Sequence, residues 1–388
     1  MRNMISSTGL LAWAAHATCA LATALPQSEK LNSREQAYVV DVHRDWNTIK
    51  TSLQSEKQSS SKNVRDTGVS GADWNYYWFM NITAGGQPVS VLMDTGSSDL
   101  WLRPPNSGPD SLDGVQTWNP DTPQSWKLDG FHFDLSYGTG GNGVNGDVYV
   151  TDICVGNLCT GLEIGCASHC QGLGDSHSGI MGFAFSGGNS IRPTREPVFM
   201  EAVSSKLDQP IFVTKFAAEG GSSQIAFGSN PFNFVPPLQN LTAQSSSSDR
   251  YPYSWSYSGI EYYKEGQHLG TFDVVFDTGG PCTSAHIDIV RRYYNGIPGA
   301  RDVNGDGSYW TVPCGTHLPD LTMHLGDALL IIPGWRFYNG NTQTDGDCMV
   351  WFVKENSDSR GVIGNPFFAE HVVVFNQAES TIHWGNQA

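Results

Sequence analysis

Two short motifs occur twice in this chain, in the same order. Val91-Leu92-Met93-Asp94-Thr95-Gly96-Ser97 returns 183 residues later as Val274-Val275-Phe276-Asp277-Thr278-Gly279-Gly280. A glycine-bracketed apolar run follows each copy: Gly179-Ile180-Met181-Gly182 after the first, Gly361-Val362-Ile363-Gly364 after the second. Asp94 precedes Gly182 by 88 positions and Asp277 precedes Gly364 by 87. Matched motifs at matched spacing imply a duplicated lobe of ordinary domain size. Each Asp ends an apolar run of β-branched and bulky residues, so each stands where a strand enters a glycine turn. A lone Asp-Thr-Gly says little, because Asp and Gly favour turns anyway; the duplicate says much more. Two adjacent carboxyls cannot both ionise cheaply, so one holds a proton and the other the charge. The first can then act as general acid toward a carbonyl, and the second as general base on a water. The chemistry this predicts is hydrolysis without a covalent intermediate, with Asp94 and Asp277 as its catalytic pair.

The elements that position such a pair are legible in outline. At roughly 150 residues per domain, 388 residues make two or three domains. The 43 glycines, 20 prolines and 11% aromatics point to many turns between short strands. The expected fold is all-β: two similar β-rich lobes related by a pseudo-two-fold duplication, with a cleft between them. Phe131, Phe133, Leu135 and Tyr137 alternate with His132, Asp134 and Ser136, a strand pattern that runs into Tyr137-Gly138-Thr139-Gly140-Gly141. A hairpin with a glycine-rich tip can open and close as a lid. The net charge of −16 argues against nucleic acid as partner, since phosphates need Lys and Arg. It suits work in acid, where protonation relieves self-repulsion.

The N-terminus carries one charge, Arg2, then an apolar run and small residues at Ala22-Thr23-Ala24, which reads as a secretory signal peptide over 1–24. Residues 25–70 hold seven basic and six acidic residues, whereas the rest of the chain from 71 holds 14 and 32. A near-neutral pro-segment whose cations sit against an acidic cleft until removal accounts for that contrast. No other segment suits a membrane span, so an exported, extracellular monomer is expected. In that compartment disulfides are expected among the seven cysteines after the signal. Cys154 and Cys159 flank a hairpin-like turn, Cys166 and Cys170 bracket a short loop, Cys314 and Cys348 would close a longer one, and Cys282 is left over; sequence does not fix the connectivity. A zinc site at the first four lacks the paired C-x2-C pattern. Asn240 and Asn81 head glycosylation sequons, Asn240 in a polar stretch and Asn81 in a strand near the core. Asp302 to Gly307 opens like a calcium loop, but Pro313 stands where the bidentate Glu belongs, so a tight turn is expected and no metal or cofactor.

From about Tyr76 to His383 the sequence resembles the pepsin-like aspartic proteases of secreted fungal type. Asp94-Thr95-Gly96-Ser97-Ser98-Asp99-Leu100-Trp101 carries the resemblance most specifically. It implies that Asp94 and Asp277 hold the water, and that Thr95 and Thr278 tie the lobes together. Ser97 would donate to Asp94. Gly96 and Gly279 would bring backbone close to a peptide substrate, and the flap residues Tyr137, Gly138 and Thr139 would close over it, with Tyr137 bonded to Trp101. A disulfide from Cys314 to Cys348 is also implied, as is a division into an N-terminal lobe with flap (71–217) and a C-terminal lobe (218–388). The implied activity is acid endopeptidase. The departures are Gly280, where the family usually has Ser or Thr, the absence of a cysteine pair after Trp101, and Ser178 where Asp is frequent. Thr283, Ser284 or a water is the expected substitute for the missing hydroxyl at Gly280. The rival reading, with Gly280 as its first sign, is a catalytically impaired lobe pair that binds a protein or glycan.

Overall fold

The computed structural model describes residues 38–44, 77–105, 107, 116–138, 142–171, 178–216, 223–242, 253–342, 346–355 and 360–387. Most of the expected leader and pro-segment lies outside the described residues, as does Thr139.

Strands dominate, and the duplication is visible in their pairing. Gln87–Asp94 runs antiparallel to Trp78–Ala84 and parallel to Gly179–Gly182, with Asp94 opposite Gly182. Gln267–Phe276 runs antiparallel to Ser256–Lys264 and parallel to Gly361–Ile363, with Phe276 opposite Ile363. The glycines of these motifs answer to crowding. A Cβ on Gly179 would lie 2.0 Å from the Trp101 carbonyl oxygen, and one on Gly364 2.2 Å from that of Cys282. Each glycine lies in or just after the strand paired with the one that delivers an aspartate, and lets a further segment pass directly against it.

Among the described residues, thirteen strands form one sheet, from Phe234–Thr242 at one edge to the hairpin of Ser125–Tyr137 and Asn142–Val155 at the other. Five more strands, Gln267–Phe276 and Gly361–Ile363 among them, form a separate sheet in the second lobe, beside smaller sheets of two and four strands. The junction is aromatic: Phe212 stacks on Phe375 at 4.6 Å, Trp255 meets Phe375 edge-on at 5.0 Å, and Phe183 lies 5.2 Å from Phe212. All four rings are fully buried, and the Trp255 indole donates to the Phe183 carbonyl at 2.9 Å. Ile211–Lys215 pairs with His371–Asn376 inside this junction. Tyr38–Arg44, from the expected pro-segment, is an interior strand of the large sheet, paired with Ser223–Phe227 on one side and Trp78–Ala84 on the other.

Disulfides join Cys154 to Cys159 across a hairpin end and Cys314 to Cys348. Cys166 and Cys170 do not pair, contrary to expectation. Both lie on the continuous strand Leu158–Gln171, where four residues of rise separate their Cα atoms by about 13 Å, beyond the reach of a disulfide. Cys282 is also a free thiol. Asn81 departs from its expected setting: its strand is buried on both sides of it, but its own side chain is exposed. Asn240 lies within the strand Phe234–Thr242. The Asp302 turn satisfies itself, with Asp302 Oδ1 accepting from the Gly305 and Gly307 amides and Arg291 facing its other oxygen. Among the described residues no helix is long and apolar enough to cross a membrane.

The main helix of the second lobe, Ile287–Tyr294, is held at its C-terminus by a buried cation. Lys264 Nζ donates to the carbonyls of Asn295 at 2.7 Å, Tyr293 at 2.9 Å and Arg292 at 3.4 Å. Those carbonyls have no partner within the helix, and the negative end of its dipole favours a cation. Lys264→Met fills the same volume and leaves the carbonyls without their donor. It is expected to cost about 2–3 kcal/mol, read as a lowered midpoint in urea unfolding; an unchanged midpoint would show that water replaces the ammonium without loss.

Candidate active site

Asp94 and Asp277 arrive from the ends of the two equivalent strands and meet at the interface of the lobes. Threonine hydroxyls lock the approach. Thr95 Oγ1 donates to the Phe276 carbonyl at 2.8 Å and accepts from the Thr278 amide at 3.0 Å. Thr278 Oγ1 reciprocates, donating to the Met93 carbonyl at 2.9 Å and accepting from the Thr95 amide at 3.1 Å. Both threonines are fully buried, so four hydrogen bonds without competing water fix one lobe's turn against the other's.

The glycines after them leave room for the opposite carboxyl. A Cβ on Gly96 would lie 2.6 Å from Asp277 Cγ, and one on Gly279 2.8 Å from Asp94 Oδ1. Their amides do further work: Gly96 donates to Asp94 Oδ1 at 2.8 Å and Gly279 to Asp277 Oδ1 at 2.7 Å. Here the symmetry ends. Ser97 Oγ donates to Asp94 Oδ2 at 2.5 Å, whereas Gly280 has no side chain to offer. Neither of the two residues expected as substitutes donates to Asp277. Ser284 Oγ donates to Glu355 at 2.6 Å and accepts from the Val362 amide, while the buried Thr283 hydroxyl makes no hydrogen bond.

The electrostatics follow this asymmetry. Loss of solvation, the charge of Asp94 and the hydrogen bond between the two carboxyls drive the pKa of Asp277 well above the usual carboxylate range; the Gly279 amide and the Arg360 cation hold it back. Asp94, with two donors, is the better host for the negative charge, and Asp277 for the proton. Such a pair can activate a water and protonate a carbonyl oxygen in one step.

The hairpin of Ser125–Tyr137 and Asn142–Val155 brings Tyr137, at the end of its first strand, within reach of the Asp94 charge. Trp101 Nε1 donates to the Tyr137 hydroxyl at 2.8 Å, and burial, then the charges of Asp94 and Asp99, keep that phenol un-ionised. Gly138 opens the tip with φ 59°, a conformation glycine adopts at little cost. Among the described residues no cluster of three or more His, Cys, Asp or Glu is placed to hold a metal. Sequence reasoning gave no role to Asp99, Arg360 or Glu355. Arg360 had one available signal: it fills the place that Ser178 holds before the first glycine-bracketed run.

The profile of the eukaryotic aspartyl proteases matches residues 75–387 of the chain. The chain is 27% identical to Penicillopepsin-2 of Penicillium janthinellum over 316 residues, which cover 79% of this chain and 77% of that protein. It is 26% identical to Endothiapepsin of Cryphonectria parasitica over 339 residues, covering 85% and 79%. Among solved structures, the aspartic proteinase from Irpex lacteus superposes with a TM-score of 0.65 at 17% identity, over 81% of this chain and 95% of that one.

Asp99 lies below the first turn, 2% exposed, accepting from the Ser190 amide and hydroxyl at 2.8–3.1 Å. Burial outweighs these donors and raises its pKa to about 6. A carboxyl whose folded pKa lies above its unfolded value stabilises the fold fully below the unfolded value, near 4, and loses that contribution as pH rises through about 6. Asp99→Asn keeps the acceptor and removes the titration. The stability of the variant at pH 4 relative to pH 7 is expected to fall short of the parent's by about 2–3 kcal/mol, measured by urea unfolding at both pH values. An unchanged difference would mean that Asp99 titrates in its ordinary range.

Proposed function

The chain belongs to the eukaryotic aspartyl protease family, in its fungal pepsin-like branch, and is an aspartic-type endopeptidase; from that premise we propose that Asp94 and Asp277 are its catalytic pair and that it works in acid, outside the cell. The observation that carries this reading is the contact between two carboxyls, each backed by a glycine amide, from lobes locked together by Thr95 and Thr278.

A water held between the carboxyls gives a proton to ionised Asp94 as its oxygen attacks the peptide carbonyl. Asp277 passes its own proton to the carbonyl oxygen, so the tetrahedral intermediate is a neutral gem-diol. Its collapse breaks the C–N bond: Asp94 returns a proton to the leaving nitrogen and Asp277 recovers one from a diol hydroxyl. The pair needs one proton in total, so activity falls once the pH exceeds the affinity of Asp277 for it. Gly96 and Gly279 present backbone to an extended polypeptide substrate. The flap residues Tyr137, Gly138 and Thr139 close over it and exclude water, with Trp101 holding Tyr137 in place. Ser97 steadies the charge on Asp94.

Residues 1–24 serve in this reading as a signal peptide and 25–70 as a pro-segment, ahead of lobes at 71–217 and 218–388. Removal of 25–70 takes the strand Tyr38–Arg44 with it. The slot between Trp78–Ala84 and Ser223–Phe227 then has to be refilled, because two rows of buried backbone groups lose their partners at once. Asn81 and Asn240 are the proposed glycosylation sites, and the mature enzyme is proposed to act as a monomer without a cofactor.

Asp94→Asn and Asp277→Asn are each expected to lower the hydrolysis of an unfolded protein at pH 3–4 by at least roughly 10³-fold. The fold should persist, and a statine-type transition-state mimic should block the parent enzyme. A folded variant with most of its turnover would overturn the assignment of the pair.

A further inference from the structure

The two lobes differ in what supports each aspartate. Ser97 supports Asp94 from its own turn, and Gly280 cannot do the same for Asp277. A second difference lies just before the glycine-bracketed runs. Ser178 precedes the first and uses its hydroxyl to accept from the Ser90 amide at 3.1 Å. Arg360 precedes the second.

The register fixes where Arg360 points. Gly361 pairs with Val274, Val362 with Val275 and Ile363 with Phe276 in a parallel ladder. Side chains alternate along strands, and paired residues share a face. Arg360 and Val362 therefore project on the face that carries Val275 and Asp277. Val362 shows this directly, since its Cγ1 lies 2.6 Å from the place a Cβ on Gly280 would occupy. Arg360 Nη1 donates to Ser254 Oγ at 2.8 Å and Ser256 Oγ at 3.2 Å, on the far flank of the strand Gln267–Phe276. Ser256 pairs with Val275, so the arginine side chain crosses that strand two residues short of Asp277. The two serine hydroxyls lie 2.5 Å apart and both residues are buried, which fixes the guanidinium in one position behind the carboxyl.

We propose that Arg360, clamped by Ser254 and Ser256, is a positioning residue for the hydrolysis: its fixed charge steadies Asp277 as that carboxyl gives its proton to the substrate, the service that Ser97 renders to Asp94 and that Gly280 cannot render here. The inference rests on the proposed role of Asp277. It draws support from the cation's lowering effect on the proton affinity of Asp277. The other groups facing Asp277 are Asp94 from the opposite lobe, Cys282 from its own loop and Tyr77 before the strand Trp78–Ala84. Glu355 stands behind Cys282, and Asp273 shares the face of Arg360. Burial pushes the Cys282 thiol up to about 12, so it stays neutral in acid. Arg360 is thus the one cation among these groups.

The test compares pH profiles of kcat and KM for the mature enzyme and for Arg360→Gln, Arg360→Lys and Ser256→Ala. In Arg360→Gln the falling limb of kcat moves upward by about one pH unit, the shift expected for removing one charge at this remove. In the same variant kcat at the optimum drops severalfold while KM holds. Arg360→Lys restores most of the parent limb, and Ser256→Ala, which keeps the charge but loosens the clamp, moves it by a smaller amount. Asp277→Asn is run beside them. If it is inactive and folded Arg360→Gln keeps the parent limb, the proposal for Arg360 fails alone. If Arg360→Gln does not fold, an unmoved limb in folded Ser256→Ala overturns it. If Asp277→Asn stays active, the catalytic reading itself falls.

Discussion

Two carboxyls in hydrogen-bond contact are an unstable arrangement unless the protein holds them together, because either would rather ionise in water. The fold reads as the set of constraints that hold them. Each aspartate follows a strand paired in register with a glycine-bracketed run, whose glycines let a further segment pack close behind, so neither carboxyl can swing away on a flexible loop. The threonine lattice fixes the two turns relative to each other with four buried bonds. The aromatic junction of Phe183, Phe212, Trp255 and Phe375 keeps the lobes from sliding. Loosen any of these and the carboxyls separate, and the contact that raises the proton affinity of Asp277 is lost.

Much of this was legible in the sequence because the same constraint acts twice. A requirement for a strand, a turn without Cβ and a close second strand writes Asp-Thr-Gly and a glycine-bracketed run, and duplication repeats both at matched spacing. The flap was legible for a different reason: its strand alternates strictly and then runs into glycines. What escaped was set by long-range packing. Asp99 looks like any polar residue near a turn, and only the fold shows Ser190 closing over it. Cys166 and Cys170 are close in sequence, but a strand holds residues four apart at full stretch, and proximity in sequence says nothing of that. Asn81 was assigned to the core side because its neighbours are apolar, yet it falls on the outward phase of its strand. Ser284 seemed free to reach Asp277 until Glu355, 71 residues away, proved to hold its hydroxyl.

The duplication also shows where equivalence stops. Both aspartates keep their glycine amide, the donor supplied by backbone and so by the turn itself. Side-chain support differs: a hydroxyl on one side, and on the other a half-buried arginine reached through the neighbouring strand. A hydroxyl in contact favours the ionised form of its own carboxyl strongly and locally. A cation farther off acts more weakly but leaves the outer oxygen of Asp277 without a bound donor. That difference suits a division of labour in which one carboxyl keeps charge and the other keeps a proton.

Acid also acts on the fold as a whole, and its effects oppose one another. Asp99 and Asp277 are more easily protonated folded than unfolded, so both add stability as the pH falls. His371 works the other way. It is buried, with Nδ1 2.9 Å from the Phe367 carbonyl and its ring stacked on Phe367 at 4.4 Å. Burial, reinforced by the nearby Arg336 cation, lowers its pKa to about 4. Its contribution is complete above the unfolded value near 6.5 and is lost as the pH falls through about 4. Between these limits the buried carboxyls gain what the imidazole loses, so the stability of the fold changes less across the acid range than either kind of group alone would dictate. Below about 4 the carboxyls have no more to add and His371 has taken up its proton beside Arg336. The dyad's need for acid and the fold's tolerance of it are therefore set by different residues, in different parts of the molecule.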